Sequence, residues 1–280
     1  METGRAAAAR DVRLIATDID GTILPRGGAI SENTRRAIAR CWERGIPFVI
    51  ATGRWVGAVA EVQAAAGLEG RPCIIANGGA VLGGDGSILK EWITPEPLAR
   101  RACEVMAEYP VAMNTYVRNG LYRMNTAVVV ERIKKYVGEG DPRIVRDDPD
   151  AFWGEGQKNV YKLEALCDDR DVIEALRARL LDMGLSVSSA SPRNLEIMAP
   201  GFGKGTALRW LAGHLGVPID ATMAFGDYLN DLEMLEAAGW PVAMGNSVDA
   251  LKAVARIIAP TDAEDGVARV VFERVLEEAL

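Results

Sequence analysis

The sequence predicts an α/β fold in which a parallel sheet is interrupted by an inserted α+β module. Short apolar strands alternate with helices in the first third of the chain, and hairpin-type turns replace this alternation in the middle. The alternation then resumes from about residue 194. Strands buried between helices are typical of βαβ units, which build parallel sheets covered on both faces. The 280 residues, of which 49% are hydrophobic, supply the core of one large domain or two smaller ones.

The first third of the chain predicts three strands and two helices. Apolar runs predict the strands at residues 14–19, 47–52 and 73–76. Ser31 can cap the helix that follows the first strand, and Gly45 ends that helix. A second helix is predicted over residues 56–66. The order is therefore strand, helix, strand, helix, strand.

The middle of the chain follows a different pattern. A Gly-Asp-Gly turn divides residues 81–92 into two extended runs, and Asn119-Gly120 suits the type I′ turn of a hairpin within residues 111–125. The other predicted elements are helices at 97–108, 127–136 and 171–183, a polar loop at 138–156 and a strand at 159–166. Hairpins and helices without βαβ alternation indicate a separate α+β module.

Towards the C-terminus the elements alternate again. The predicted elements are strands at 194–198, 222–225, 242–244 and 257–259, and helices at 204–215, 230–238, 248–255 and 267–279. The sequence thus predicts a core formed by residues 1–84 and 191–280, with the α+β insert at residues 85–190.

Composition and charge disfavour several classes of function. The net charge of −7 argues against a nucleic-acid partner, because binding a polyanion needs a basic face. No apolar run approaches the ~20 residues of a membrane span, and residues 1–10 lack the apolar centre of a signal peptide. We therefore expect a frayed leader, no membrane and no nucleic acid. The sequence leaves the oligomeric state open.

The four cysteines and the single histidine narrow the chemistry further. Cys41, Cys73, Cys103 and Cys167 form no CxxC pair, which argues against a zinc site or a disulfide framework and fits a reducing cytoplasm. A Ser-His-Asp or Cys-His mechanism would have to use His214, which lies near the end of a predicted helix. Acid–base chemistry is therefore expected from carboxylates.

Polar residues follow the predicted parallel strands at their carboxyl ends, which is where open parallel sheets bind ligands. The segments are Asp18-Ile19-Asp20-Gly21-Thr22, Thr52-Gly53-Arg54, Asn77-Gly78-Gly79 and Gly226-Asp227-Tyr228-Leu229-Asn230-Asp231. Lys204 opens a predicted helix and is a further candidate. Asp18 and Asp20 are two apart and would project to the same side of an extended chain. One edge of the sheet is thus expected to gather four carboxylates, a hydroxyl, a lysine and several glycines.

Four neighbouring carboxylates are unfavourable without a cation. Two unit charges 4 Å apart repel by about 4 kcal/mol at an effective dielectric constant of 20. Aspartate oxygens without a histidine or cysteine nearby in the sequence favour Mg2+ over zinc. Magnesium leaves room for a phosphate oxygen, and a free aspartate beside a metal-bound phosphate can form an aspartyl phosphate. A lysine, a hydroxyl and backbone amides supply the charge neutralisation that phosphoryl transfer needs.

These segments resemble the four ordered motifs of the haloacid dehalogenase-like superfamily. The motifs are Asp18-Ile-Asp-Gly-Thr, Thr52-Gly-Arg, Lys204 and Gly226-Asp-x-x-Asn-Asp. Asn77-Gly-Gly, residues 197–208, Val242-Ala-Met-Gly-Asn and Glu264-Asp-Gly-Val-Ala resemble its Cof-type sugar-phosphatase branch, to which mannosyl-3-phosphoglycerate and sucrose-phosphate phosphatases are related. The resemblance implies a Rossmann-like three-layer core. It also implies that the insert is the type IIB α+β cap that selects the substrate.

The resemblance implies a role for each motif residue. Asp18 would attack phosphorus, Asp20 would protonate the leaving oxygen and then activate water, and Lys204 would neutralise charge. Mg2+ would be held by Asp18, by Asp227, by the backbone carbonyl of Asp20 and by Asp231, the last either directly or through water. Phosphate or substrate would contact Gly21, Thr22, Thr52, Gly53, Arg54, Asn77, Lys204 and Asn230.

The sequence therefore predicts a Mg2+-dependent phosphatase for a small phosphorylated metabolite such as a sugar phosphate. A phosphotransferase or sugar-phosphate mutase on the same core, and a non-catalytic metabolite-binding protein, remain as alternatives. A nucleotide-binding oxidoreductase is disfavoured because no Gly-x-Gly-x-x-Gly turn follows the first strand. Candidate substrate contacts in the cap are Asn114, Tyr116, Arg118, Tyr122, Lys158, Asn159 and Arg193.

Overall fold

The computed structural model describes residues 11–118, 120–124, 144–146, 153 and 159–280. The predicted leader, the predicted helix at 127–136, most of the predicted loop at 138–156, Asn119 and Lys158 lie outside these residues. Within the described ranges, none of the helices combines the length and apolar character needed to cross a bilayer.

Fourteen strands of the described chain form two sheets. The larger sheet contains β1 (Leu14–Thr17), β2 (Phe48–Ala51), β3 (Cys73–Ile75), β4 (Ala80–Leu82), β5 (Ile88–Glu91), β12 (Thr222–Gly226), β13 (Trp240–Ala243) and β14 (Ile257–Ile258). The smaller sheet contains β6 (Ala112–Val117), β7 (Gly120–Met124), β8 (Ile144–Arg146), β9 (Val160–Leu166), β10 (Ser186–Ser188) and β11 (Asn194–Met198).

The larger sheet has the strand order β14-β13-β12-β1-β2-β3-β4-β5. Its strands are parallel from β14 to β3, and β4 and β5 are added antiparallel. Because β1 lies between β12 and β2, the carboxyl ends of these three strands are neighbours. This parallel sheet confirms the predicted α/β fold.

The helices described here are α1 (Glu32–Glu43), α2 (Val56–Ala66), α3 (Glu96–Ala107), α4 (Arg170–Asp182), α5 (Lys204–His214), α6 (Leu232–Ala237), α7 (Asp249–Val254) and α8 (Gly266–Val270). Helix α8 continues into a π-helical segment, Val271–Leu276. The side chain of Ser31 accepts a hydrogen bond from the Thr34 amide at 3.0 Å, so the predicted cap of α1 is confirmed.

Helices cover both faces of the larger sheet, which gives the core three layers. Helices α1, α2 and the C-terminal helices bury one face of the sheet, which includes Ile15 and Phe48. Helices α5, α6 and α7 bury the other face, which includes Leu14 and Val49. Alternate residues of one strand thus point into different layers, as expected for a sheet buried on both sides.

The smaller sheet has the order β10-β11-β9-β6-β7-β8 and two dissimilar faces. One face packs its apolar side chains, including Met113, Leu163 and Leu195, against α3 and α4. The opposite face carries buried polar side chains, namely Asn114, Tyr116, Arg123, Lys162, Glu164, Asn194 and Glu196. We call this opposite face the polar cap face.

Three strands differ from the sequence prediction. Ile88–Glu91 joins the larger sheet and Asn194–Met198 the smaller one, whereas the predicted boundaries at 84 and 190 assign them the other way round. Ile144–Arg146, within the predicted polar loop, pairs in parallel with β7. A short strand has the same sequence pattern in either sheet, so its partner depends on tertiary pairing. We now propose that the insert runs from the end of β5 to the end of β11.

Candidate active site

Two carboxylates and a lysine form the buried centre of the site. Asp18 directly follows β1, and Lys204 is the first residue of α5. The Lys204 Nζ atom donates to Asp18 Oδ1 at 2.6 Å and to Asp231 Oδ1 at 2.7 Å. All three side chains are buried. Side chains from three distant segments of the chain therefore meet at this place.

Asp227 completes a group of carboxylates that can hold a metal ion. One oxygen each from Asp18, Asp227 and Asp231 lies within 4.8 Å of the other two. Burial raises the pKa of Asp227 to about 7, and the charge of Asp231 adds to this effect. Burial likewise raises the pKa of Asp18 well above its usual value, although Lys204 opposes the shift. Burial and the neighbouring carboxylates thus disfavour the ionised forms of Asp18 and Asp227, and a bound cation would favour them.

Lys204 stays charged in this environment. Burial alone would lower the pKa of its ammonium group, but Asp18 and Asp231 reverse the effect and raise that pKa above its ordinary value. A positive charge is thus fixed beside Asp18 at any physiological pH. Such a group can neutralise an incoming anion without having to move.

Backbone and side-chain donors hold the carboxylates in place. Asp231 Oδ2 accepts from the amides of Asp227 at 3.0 Å and Tyr228 at 3.4 Å, and Thr22 Oγ1 donates to Asp227 Oδ1 at 3.2 Å. Gly21 has φ +85°, and a Cβ on it would lie 2.4 Å from Asp227 Oδ2. A glycine is therefore required at position 21 both by the backbone conformation and by the approach of the carboxylate.

Asp20 is placed differently from Asp18. Its carboxylate is 59% exposed and forms two hydrogen bonds with Arg54, from Nε at 2.9 Å and from Nη2 at 2.6 Å. Among the described residues it does not belong to the group of three buried carboxylates. The chain leaves the extended conformation after Thr17, and the carbonyl of Ile19 accepts turn hydrogen bonds. Asp18 and Asp20 therefore lie beyond the end of β1 and not on an extended strand, and their projection to the same side stays a prediction.

The other predicted phosphate contacts surround the ends of β2 and β3. Thr52 Oγ1 accepts from the Arg54 amide at 3.1 Å, and the Thr52 carbonyl accepts from the Asn77 amide at 2.9 Å. Asn77 has the left-handed φ of +54°, and its Oδ1 accepts from Asn230 Nδ2 at 3.4 Å. Thr52, Gly53, Asn77 and Asn230 are thus linked, and their roles towards phosphate stay predictions.

Three residues near the site were not predicted from the sequence. Asn246 Nδ2 donates to the Gly21 carbonyl at 2.8 Å, and this residue could have been found because it follows β13 at a strand end. Lys162 and Glu196 lie on the polar cap face, and Lys162 Nζ donates to the Gly53 carbonyl at 2.8 Å. Only their charge, at positions that alternate with apolar residues, marks them in the sequence.

Several predicted cap contacts bind protein groups in this structure. Asn114 Nδ2 and Tyr116 Oη donate to Glu164 at 2.7 and 2.9 Å, and Arg118 pairs with Glu91. A role in substrate selection stays a prediction for these residues.

Comparisons with known proteins agree with this geometry. A family model described as haloacid dehalogenase-like hydrolase matches residues 15–271. The 5-amino-6-(5-phospho-D-ribitylamino)uracil phosphatase YcsE of Bacillus subtilis (strain 168) is 31% identical over 266 residues, covering 95% of this chain and 97% of that protein. The HMP-PP phosphatase of Citrobacter koseri is 29% identical over 243 residues, covering 85% and 86%. A solved haloacid dehalogenase-like hydrolase from B. subtilis superposes with a TM-score of 0.83 at 25% identity, covering 93% and 99%.

The fold and the buried carboxylate–lysine centre define a hydrolase of the phosphatase class. The chain belongs to the haloacid dehalogenase-like hydrolase family, since the family model covers all but its ends. The resemblance stated from the sequence motifs, to this superfamily and to its Cof-type branch, is thereby confirmed.

Proposed function

We propose that this protein hydrolyses the phosphate monoester of a small metabolite in two steps, with Mg2+ bound and with Asp18 as the nucleophile. The observation that carries the proposal is the contact of Lys204 with both Asp18 and Asp231 inside a buried group of carboxylates. The names of the two relatives above specify small phosphorylated metabolites as their substrates, which supports the same substrate class here.

The donor set fits Mg2+. Asp18, Asp227 and Asp231 offer hard carboxylate oxygens that lie close together in a buried place, which supports the binding of a further positive charge there. These three side chains, with the Asp20 carbonyl, are the proposed ligands. When bound, the ion supplies charge that offsets the phosphate oxygens.

Asp18 carries the covalent part of the proposed reaction. In the first step one Asp18 carboxylate oxygen bonds to phosphorus while the bond from phosphorus to the leaving oxygen breaks, and Asp20 gives that oxygen its proton. In the second step the oxygen of a water molecule bonds to phosphorus while the bond between phosphorus and the Asp18 oxygen breaks, and Asp20 takes a proton from that water. Inorganic phosphate leaves and both aspartates return to their starting state. Lys204 neutralises charge on Asp18 and phosphate throughout.

Arg54 forms hydrogen bonds with Asp20, the proposed general acid. Both Asp20 oxygens accept hydrogen bonds from the guanidinium of Arg54, so each oxygen already has a donor. To donate a proton, Asp20 must give up at least one of these bonds. We propose that substrate and cap closure provide that change.

The remaining proposed properties concern the protein's surroundings. The four cysteines are free and buried, which supports a reducing cytoplasm as the location. The net charge of −7 supports a small phosphorylated substrate over a nucleic acid.

The test is phosphate release from a panel of phosphorylated metabolites and from p-nitrophenyl phosphate. Wild type is assayed with Mg2+ and with chelator, beside Asp18→Asn and the matched surface variant Asp182→Asn. We expect turnover that requires Mg2+, is lost in Asp18→Asn and persists in Asp182→Asn. Adding sugar acceptors separates a hydrolase from a phosphotransferase, because only the latter forms a new phosphate ester.

Undiminished turnover in folded Asp18→Asn contradicts the mechanism. Turnover that is unchanged by chelation contradicts the proposed metal.

A further inference from the structure

A buried ion pair joins the cap sheet to the turn that follows β2. Lys162 Nζ on β9 lies 2.6 Å from Glu196 Oε1 on β11, and the two side chains are 1% and 3% exposed. The same Nζ atom donates to the carbonyl of Gly53 in the core at 2.8 Å. The Tyr116 ring centroid lies 4.1 Å from the ammonium nitrogen. One cation of the cap thus contacts a core carbonyl, a cap carboxylate and a cap ring.

The turn that contains Gly53 is also in close contact with Glu196, the second residue of the ion pair. A Cβ on Gly53 would lie 2.8 Å from Glu196 Oε1 and 2.9 Å from Asn77 Oδ1. The absence of a side chain at position 53 therefore allows the Glu196 carboxylate to pack on the backbone of the turn. Burial alone would raise the pKa of Glu196, but the charge of Lys162 and its hydrogen bond outweigh burial and lower that pKa below its ordinary value.

Stability alone gives a weak reason for this arrangement. Buried ion pairs can often be replaced by apolar residues of similar volume without loss of stability, because both charges must be desolvated. The contact with Gly53 supplies a different reason, since a backbone carbonyl cannot be held by an apolar side chain.

The Gly53 peptide is connected to the residues that we propose for catalysis. Gly53 lies between Thr52, whose Oγ1 accepts from the Arg54 amide at 3.1 Å, and Arg54 itself. The guanidinium of Arg54 holds Asp20 at 2.6 Å. A rotation of the Gly53 peptide would therefore displace both the proposed phosphate-binding hydroxyl and the arginine that orients the proposed acid.

We propose that Lys162 and Glu196 are positioning residues that set the Thr52–Gly53–Arg54 turn from the cap side. Glu196 orients Lys162, and Lys162 holds the Gly53 carbonyl. The catalytic consequence rests on the proposed function, whereas the effect on the turn does not. Because the pair belongs to the cap and the turn to the core, the contact also links cap position to the order of the site.

The test compares three full-length variants with wild type. Lys162→Met removes the donor, and Lys162→Met with Glu196→Leu removes the whole pair while restoring an apolar packing. Arg179→Met is the control, since Arg179 pairs with Glu108 inside the cap at 2.9 Å and neither residue is placed at the site. Each variant is measured by urea unfolding, by amide hydrogen exchange over residues 48–60, and by kcat and KM for p-nitrophenyl phosphate with Mg2+.

We expect faster exchange at residues 52–54 in both Lys162 variants and unchanged exchange in Arg179→Met. We expect kcat/KM to fall about 10²-fold, mostly in kcat, because displacements of about 1 Å have effects of that size. The double variant is the decisive one: its stability recovers relative to Lys162→Met, but its turnover and exchange do not. Recovery of turnover together with stability would show a structural role only and overturn the proposal.

Hydrogen exchange tests the positioning role of Lys162 and Glu196 separately from the proposed phosphatase function. If wild type releases no phosphate, the proposed function fails, and exchange at residues 52–54 still decides the positioning role. Unchanged exchange in folded Lys162→Met overturns the positioning role even when wild type is active.

Discussion

The two sheets of this protein place their polar side chains in different ways. The larger sheet has apolar side chains on both faces, and its polar groups, such as Asp18 and Asp227, lie just beyond its carboxyl edge. The smaller sheet has one apolar face, and its polar groups, such as Lys162 and Glu164, lie on the other face between cap strands. The polar side chains thus lie at an edge of the larger sheet and on a face of the smaller sheet.

This difference separates two kinds of contribution. Residues at strand ends can converge from distant segments without disturbing the layers, so the edge can collect charge for the reaction. Residues on a sheet face are held by cross-strand neighbours, so the face can hold and orient its partners. We therefore expect changes at the edge to act on metal binding and on the reacting groups directly, and changes on the face to act through the position and stability of their partners, without loss of metal affinity.

The largest expected effect comes from Lys204→Met, at the edge. The variant loses the charge that lies between Asp18 and Asp231, so turnover should fall about 10³-fold. Unfolding in chelator should become easier by about 3–5 kcal/mol, because buried carboxylates are left without their partner. Steady-state assays and urea unfolding measure the two quantities.

Exposed Lys90→Met is the control for Lys204→Met, and it should retain both stability and turnover. Added Mg2+ should recover part of the stability of Lys204→Met, since the cation replaces the missing positive charge. Wild-type turnover in Lys204→Met would contradict the expectation that changes at the edge of the larger sheet lower turnover.

A smaller and more selective effect is expected from Gly21→Ala. Gly21 and Gly27 both have positive φ, but a Cβ on Gly21 meets Asp227 at 2.4 Å, whereas one on Gly27 meets nothing within 4 Å. Both alanine variants should lose about 1–2 kcal/mol of stability from backbone strain. Only Gly21→Ala should also lose Mg2+ affinity, by about 10- to 100-fold in calorimetric titration. Equal Mg2+ affinity in the two variants would refute the role given to Gly21.

The smallest expected effect on the metal comes from Glu164→Gln on the polar cap face. Glu164 accepts hydrogen bonds from Asn114, Tyr116 and Asn194, and a glutamine amide cannot replace all of them. We expect a loss of about 1–3 kcal/mol in urea unfolding with unchanged Mg2+ affinity. Exposed Glu104→Gln is the control. A loss of Mg2+ affinity as large as that of Gly21→Ala would show that the face contributes to the metal site.

The edge of the larger sheet could be predicted from the sequence. Asp18, Asp227 and Asp231 were found because strand ends of a parallel sheet must meet at one edge, whatever the packing beyond it. Lys204 was found as a lysine that opens a helix, and its contacts with Asp18 and Asp231 agree with that prediction.

The orientation of Asp20 and the polar cap face could not be predicted in this way. The position of Asp20 depends on a turn after β1 and on a hydrogen bond from Arg54. Neither contact follows from the spacing of Asp18 and Asp20 in the sequence. Lys162 and Glu196 alternate with apolar residues as surface charges do, yet both are buried where Lys162 contacts the Gly53 carbonyl of the core. Tertiary pairing likewise decides which of the two sheets Asn194–Met198 joins, because the sequence pattern of so short a strand would suit either sheet.

Trapping the proposed aspartyl phosphate tests the role of Asp18 as the nucleophile most directly. Wild type is mixed with Mg2+ and its best panel substrate, quenched in acid during turnover, and digested for mass spectrometry. We expect a phosphoryl group on Asp18 of the wild type that is absent in Asp18→Asn and after a chase with chelator-free buffer lacking substrate. Steady turnover with no phosphoryl group on Asp18, or with one on another residue, would contradict that role.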